Sequence, residues 1–311
     1  MRRFLALARS ATLEALAEPV SAILLLVALM TVHIAPVFHF HEFGEAGRLA
    51  RECGFSALLV FGLVFATASA VRAIGGEISS GTAAAALARP VPRGLFFCGK
   101  IFGVAAAFAL FLGAVAFATV LATYASAEGA RLATLGEDGV RIWTPGLASG
   151  TCCTLGAFIL AALGNRFLRT RFCVGACVLM AVAQPLALFG VAPFGAEGFT
   201  ATCGQMSWAI LPAMVVLASG CCVFIAFAGA LAVRLKPAPT GALVAAGVIV
   251  SFVWPLRAVL PEIGKFWLVE SLADGGCMAM VDAGPALGAA ACLTALWLVV
   301  GCALMRGREL P

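Results

Sequence analysis

Gly94 to Ile101 reads GLFFCGKI. Two glycines five positions apart, with a lysine after the second, make most of a phosphate-binding loop of the form G-x-x-x-x-G-K-[ST]. In such a loop the backbone amides and the lysine hold phosphate, and the final hydroxyl holds magnesium. Here Ile101 stands where that hydroxyl is needed. Leu95, Phe96, Phe97 and Cys98 are too apolar to line a solvated phosphate cradle, and a long apolar run follows instead of a nucleotide domain. Nucleotide binding at this site is not expected. A second candidate is VHIAPVFHFHEF, which carries His33, His39 and His41 ahead of Glu42. Imidazole is a common metal ligand. His39 and His41 share one side only if the chain is extended there. The preferred reading is three polar residues at a fraying helix end, with no resident metal.

Twelve cysteines raise the question of disulfides or zinc. No C-x-x-C occurs and no Cys/His group has zinc-ligand spacing. Cys152, Cys153, Cys173, Cys177, Cys221, Cys222, Cys292 and Cys302 lie in apolar runs, where thiols act as small hydrophobes. Cys53, Cys203 and Cys277 fall at or beyond the outer ends of such runs, and a bridge between two of them is the less expected outcome. There is no H-E-x-x-H, no G-x-S-x-G and no paired Asp within the apolar runs. No catalytic site and no cofactor are expected in this chain.

The elements that carry these residues are set by composition. The chain has 311 residues, 63% hydrophobic and 11% charged, where soluble domains carry about 25% charged residues. Mean hydropathy is +1.07. This implies an all-α integral membrane protein of the cell membrane, a polytopic bundle of six to eight transmembrane helices. A span needs about 20 apolar residues. Eight stretches qualify: Pro19–Phe38, Gly54–Val71, Leu95–Tyr124, Leu147–Leu163, Phe172–Val191, Trp208–Val233, Gly241–Pro255 and Gly284–Met305. The seventh is the shortest and weakest. Alternate loops are basic: Arg2, Arg3 and Arg9; Arg72, Arg89, Arg93 and Lys100; Arg166, Arg169 and Arg171; Arg234 and Lys236; Arg306 and Arg308. Most acids, with Lys265 and Arg257, fall on the other side. Basic loops stay cytoplasmic, so both termini are expected inside. Residues 1–18 read as an interfacial helix and 19–311 as the membrane domain. Glu14 and Glu18 interrupt what would otherwise resemble a secretory signal. Gly99-x-x-x-Gly103 and Gly284-x-x-x-Gly288 read as helix-packing patterns. Gln184 reads as a polar group bonded to a neighbouring helix. The spans contain almost no ionisable groups, which argues against proton- or sodium-coupled transport.

One cytoplasmic segment, 75–93, carries more information. Gly75-Gly76 ends the second span, and Glu77, Ser79, Ser80, Gly81 and Thr82 follow. Ser80 or Thr82 can cap a short helix over Ala83–Ala88. Pro90 stops it and holds Arg89 extended. Arg93 and Lys100 stand at the entry to the third span, where snorkelling cations belong. From physics alone the segment is a plain connection or a short docking helix.

Glu77, Gly81-Thr82, Leu87, Pro90, Arg93 and Gly99-Lys100 fit E-x3-GT-x4-L-x2-P-x2-R-x5-GK. This resembles the loop of ABC transporter permeases of the ABC-2 type, including those linked to multicopper-enzyme maturation. The likeness covers roughly residues 1–105. It implies a permease subunit, an exporter, that pairs with a second permease copy or paralogue and meets a separately encoded ATP-binding-cassette ATPase. ATP would be bound by that partner. Glu77, Gly81, Thr82, Leu87, Pro90 and Arg93 would then form the ATPase-coupling contact. The family usually shows six spans, against eight here. A secondary carrier or channel, and a non-transporting membrane anchor or sensor component, remain as alternatives. Membrane lipid is the other expected partner; nucleic acid is not.

Overall fold

Apolar runs bounded by charge become helices in the computed structural model, which describes residues 1–41, 45, 47–83, 92–134, 145–191, 206–253, 259–268, 272 and 277–307. The helices are α1 (Arg2–Ala17), α2 (Pro19–Ile34), α3 (Arg48–Ser79), α4 (Arg93–Thr134), α5 (Pro145–Leu168), α6 (Phe172–Val191), α7 (Ile210–Ala232), α8 (Pro237–Val253) and α9 (Cys277–Arg306). Among the described residues there is no strand. Seven helices are long and apolar enough to cross a membrane. The remaining apolar run, the seventh in sequence order, is α8, whose 17 residues extend about 26 Å, short of a hydrocarbon core of about 30 Å.

Local chemistry places the first break. The residue before a proline avoids the helical region, and Glu18 is extended at φ −70°, ψ 132°. Pro19 then opens α2, where its missing N–H costs nothing. Ser21 donates to the Ala15 carbonyl at 2.6 Å and fastens the corner. The amphipathic α1 buries Ala8, Ala11, Ala15 and Leu16. That face lies across the start of α4 at Gly99 and Gly103, and Thr12 donates to the Gly103 carbonyl at 2.9 Å. Gly99-x-x-x-Gly103 is thus a helix crossing. A Cβ at Gly284 or Gly288 would meet nothing within 4 Å among the described residues.

Arg93, at the start of α4, donates to the Arg306 carbonyl at 3.1 Å. The N-terminal helix, the start of α4 and the close of α9 therefore share one end of the bundle, here the proximal end. Helices α7 and α9 run parallel, since Gly229 and Gly301 both pack on Phe97 and Arg234 reaches the Gly307 carbonyl at 3.1 Å. The chain between them must return across the bundle, and α8 supplies most of that passage. Residues 259–268 then lie against the middles of their neighbours. Phe266 packs on Gly220 in α7, and the Trp297 indole of α9 donates to the Val259 carbonyl at 2.9 Å. Leu260, Ile263 and Phe266 are buried. This corrects the sequence reading, which puts Glu262 and Lys265 in an outer loop. Apolar residues on both sides of the pair draw the segment into the bundle.

Candidate functional site

Among the described residues, the densest constellation of charge lies at the proximal end. Lys100, on the second turn of α4, is 2% exposed. Its Nζ donates to Glu14 Oε2 of α1 at 2.9 Å and to Glu77 Oε1, where α3 ends. Beside this, Arg72 pairs with Glu18, at the α1–α2 corner. Three elements are thus tied by one ammonium. Isolated burial of a lysine costs several kcal/mol, which two charge-assisted hydrogen bonds offset. Lys100 therefore does not snorkel as the sequence suggests. The reason is α1, which lies over Gly99 and Gly103 and closes the route to water while delivering Glu14.

The phosphate-loop reading of GLFFCGKI falls with the same geometry. All eight residues lie in α4; the Phe96 amide already bonds to the Pro92 carbonyl at 3.1 Å, and from Phe97 on the amides belong to the helix interior and bond to carbonyls, not to phosphate. The lysine is already paired.

The structure brings some of the expected coupling residues together and leaves others apart. Glu77 sits on the Lys100 ammonium, with its side chain 21% exposed. A π-helical stretch, Arg72–Gly76, precedes it. Thr82 Oγ1 donates to the Glu77 carbonyl at 3.3 Å and lies 2.9 Å from Ser80 Oγ. Gly81 has φ +75°, the left-handed region that favours glycine, and a Cβ there would meet nothing within 4 Å. So Ser80, Gly81 and Thr82 form an exposed turn directly beyond a buried anchor. Arg93 instead points at the end of α9. Leu87 and Pro90 lie outside the described residues.

Glu14 is the residue that sequence reasoning missed. Its signal was present in outline: a carboxylate in a helix expected at the interface, and a lysine within a small-residue crossing pattern. Nothing in the sequence alone pairs positions 14 and 100. Missed too was Cys98, whose Sγ lies 3.6 Å from Cys302 Sγ, between α4 and α9. Copper phenanthroline in membranes is expected to join these two thiols. A faster-migrating band on non-reducing gels, lost in Cys98→Ser, would report it.

No known family model, curated protein or solved structure matches this chain. What it does must be read from its own residues.

A second polar constellation crosses the membrane-facing helices nearer the distal end. His33 Nε2 lies 2.9 Å from Gln184 Oε1, and Gln184 Nε2 lies 2.9 Å from Thr154 Oγ1 and 3.3 Å from the Met180 carbonyl. A carbonyl only accepts, so the Gln184 amide nitrogen must face Met180. The amide oxygen then faces His33, whose Nε2–H donates. Thr154 completes the chain by donating to the Gly150 carbonyl at 2.8 Å. This satisfied network joins α2, α5 and α6, as expected for Gln184. It gives His33, 1% exposed, a structural partner. Among the described residues no group of three His, Cys, Asp or Glu could hold a metal. The side chains of His39 and His41 lie outside the described residues. Gln184→Leu is expected to destabilise the bundle by about 1–3 kcal/mol, because it strands the buried His33 donor. Adding His33→Leu is expected to recover part of the loss. Unfolding in mixed detergent micelles measures both.

Proposed function

We propose that this chain is the membrane-spanning permease subunit of an ATP-binding-cassette exporter of the ABC-2 type. In this reading the proximal end faces the cytoplasm, and a second permease copy or paralogue completes the transport path. Two separately encoded ATPase subunits bind and hydrolyse ATP, and this chain contributes no catalytic group. The observation that carries the reading is the union of an exposed turn, Ser80 to Thr82, with a buried anchor at Glu77 and Lys100. A loop that must transmit force needs a free tip for the partner and a base that cannot slip. Lys100 provides that base, fastening the end of α3 to both α1 and α4. Movement at the tip would therefore tilt three elements together. The motif Glu77, Gly81, Thr82, Leu87, Pro90 and Arg93 supports the same reading.

The test uses the open space at Gly81. Gly81→Ala and Gly81→Trp share the backbone strain of a left-handed residue, about 1 kcal/mol. Only tryptophan adds bulk, and its Cβ enters space that is open among the described residues. In native membranes, an ATPase is expected to co-purify with wild type and with Gly81→Ala but not with Gly81→Trp. Permease-dependent ATP turnover should follow the same order. The reading fails if no ATPase accompanies the wild type, or if Gly81→Trp retains it fully.

A further inference from the structure

We infer that the cavity between residues 259–268 and α9 binds the charged head of a zwitterionic amphiphile, with an ammonium on Glu262 and an anionic group on Lys265. The cavity has a volume of about 600 Å³. That is the size of many small-ligand sites. Its walls are apolar, formed by Leu260, Phe266, Ala286 and Leu293 among others, and its two charged residues are Glu262 and Lys265. Lys265 Nζ lies 3.2 Å from Glu262 Oε2, with the side chains 58% and 26% exposed.

Three observations set this pair apart from a surface ion pair. The first is depth. Val259, bonded to Trp297, lies at a level about 14 Å along α9 from Arg306. Phe266 meets Gly220 near the middle of α7, and Trp267 packs edge-on against Phe55 of α3 with ring centroids 5.9 Å apart. Glu262 and Lys265 fall between these contacts, within the hydrophobic height of the bundle. Ionisable groups at that depth are costly and mark function by default. The second is the backbone. Residues 259–268 hold one short 3₁₀ turn, Ile263–Phe266, and are otherwise irregular. Irregular backbone at membrane depth is tolerated where it is packed in protein, as Leu260, Ile263 and Phe266 are here. Third, the cavity lies against α9, whose Leu287 and Leu296 are exposed, so an apolar tail entering there can continue into lipid.

The pair selects the ligand by charge balance. A simple anion on Lys265 would crowd the Glu262 carboxylate, and a simple cation on Glu262 would crowd the ammonium. Either sets like charges side by side, which a medium of low dielectric penalises. A head carrying both charges sets an opposite charge beside each member of the pair. The inference names a substrate class for the exporter proposed above and rests on that reading only for the word substrate. Binding itself is measured on the isolated chain, so its failure is distinct from a failure of ATPase coupling.

The experiment uses the full chain in detergent micelles, with lysophosphatidylethanolamine as probe. A non-ionic alkyl glycoside and a singly charged alkyl phosphate of matched chain length are the comparisons. Native mass spectrometry and Trp fluorescence both read binding, since Trp267 and Trp297 flank the segment. The zwitterion is expected to bind at least tenfold more tightly than either comparison. Glu262→Gln and Lys265→Met are each expected to remove that preference. Ala289→Phe, which fills the cavity from α9 and leaves both charges in place, is expected to block binding and covers the case in which a charge variant fails to fold. Equal affinity for zwitterion and glycoside in wild type would overturn the inference. So would undiminished binding by Ala289→Phe.

Discussion

Lys100→Met is expected to destabilise the protein by about 2–4 kcal/mol and, under the proposed function, to lower permease-dependent ATP turnover. Methionine keeps the length and apolar stem of lysine, so packing changes little. What changes is charge. Glu14 and Glu77 lose the ammonium that holds them together. Removing one partner of a buried pair usually costs 3–5 kcal/mol. The lower figure applies here because the Glu14 side chain is 53% exposed, so water can take over part of its solvation. Urea or mixed-micelle unfolding checks the value. The Arg72–Glu18 pair, 54% and 37% exposed, is the internal comparison. Arg72→Gln should cost less than about 1 kcal/mol, and that cost should shrink with salt.

Stability and coupling separate in the double variant. Lys100→Met with Glu77→Gln removes the repulsion and should recover much of the lost stability. It should not recover permease-dependent ATP turnover, because the anchor is still gone. Glu77→Lys is the harsher test of the same point. It sets two cations face to face at a site closed by α1 and is expected to abolish coupling while leaving the spans inserted. Wild-type stability in Lys100→Met would sink the account of Lys100 as an anchor.

The membrane architecture was legible because it follows from composition. Runs such as Phe172–Val191 have no stable place outside a bilayer or a core, and Pro19 announces a helix start by its own geometry. The doubt over the seventh apolar run was legible too, since α8 is short for the same reason its run is short. Two things were not. Lys100 at the mouth of a span reads as a snorkelling cation by every local rule, and only the lie of α1 across α4 makes it buried. Glu262 and Lys265 read as loop residues because they are charged and near prolines. Their depth is set by Phe266 on Gly220 and Trp297 on Val259, contacts between residues 38 or more positions apart. Periodicity and spacing carry no information about which helix crosses which. The small-residue pattern at Gly99 and Gly103 marks a crossing but does not name the partner, and the like pattern at Gly284 and Gly288 has none among the described residues.

Gly103→Leu is expected to detach α1 and expose Lys100 while leaving its bond to Glu77 in place. A Cβ at Gly103 would lie 2.3 Å from the Ala8 carbonyl oxygen and 2.6 Å from Ala11 Cβ. The first is backbone and cannot rotate away, so α1 must move. Overpacking of this kind costs about 1–3 kcal/mol. The Thr12 bond to the Gly103 carbonyl and the Glu14 arm of Lys100 should go with it. Even Gly103→Ala should show the effect, since the clash is at Cβ. Gly99→Ala should be milder, because its nearest neighbour is the Leu7 side chain at 3.1 Å. Gly113, on the same helix, meets nothing within 4 Å, and Gly113→Ala should be neutral or slightly stabilising, by up to about 1 kcal/mol, through helix propensity. The decisive readout is acylation by a water-soluble amine reagent, followed by peptide mass spectrometry. Lys100 should be protected in wild type and modified in Gly103→Leu, with the exposed Lys236 as internal standard. Continued protection of Lys100 in Gly103→Leu would mean that α1 does not seal the site. The burial of that ammonium would then need another cause.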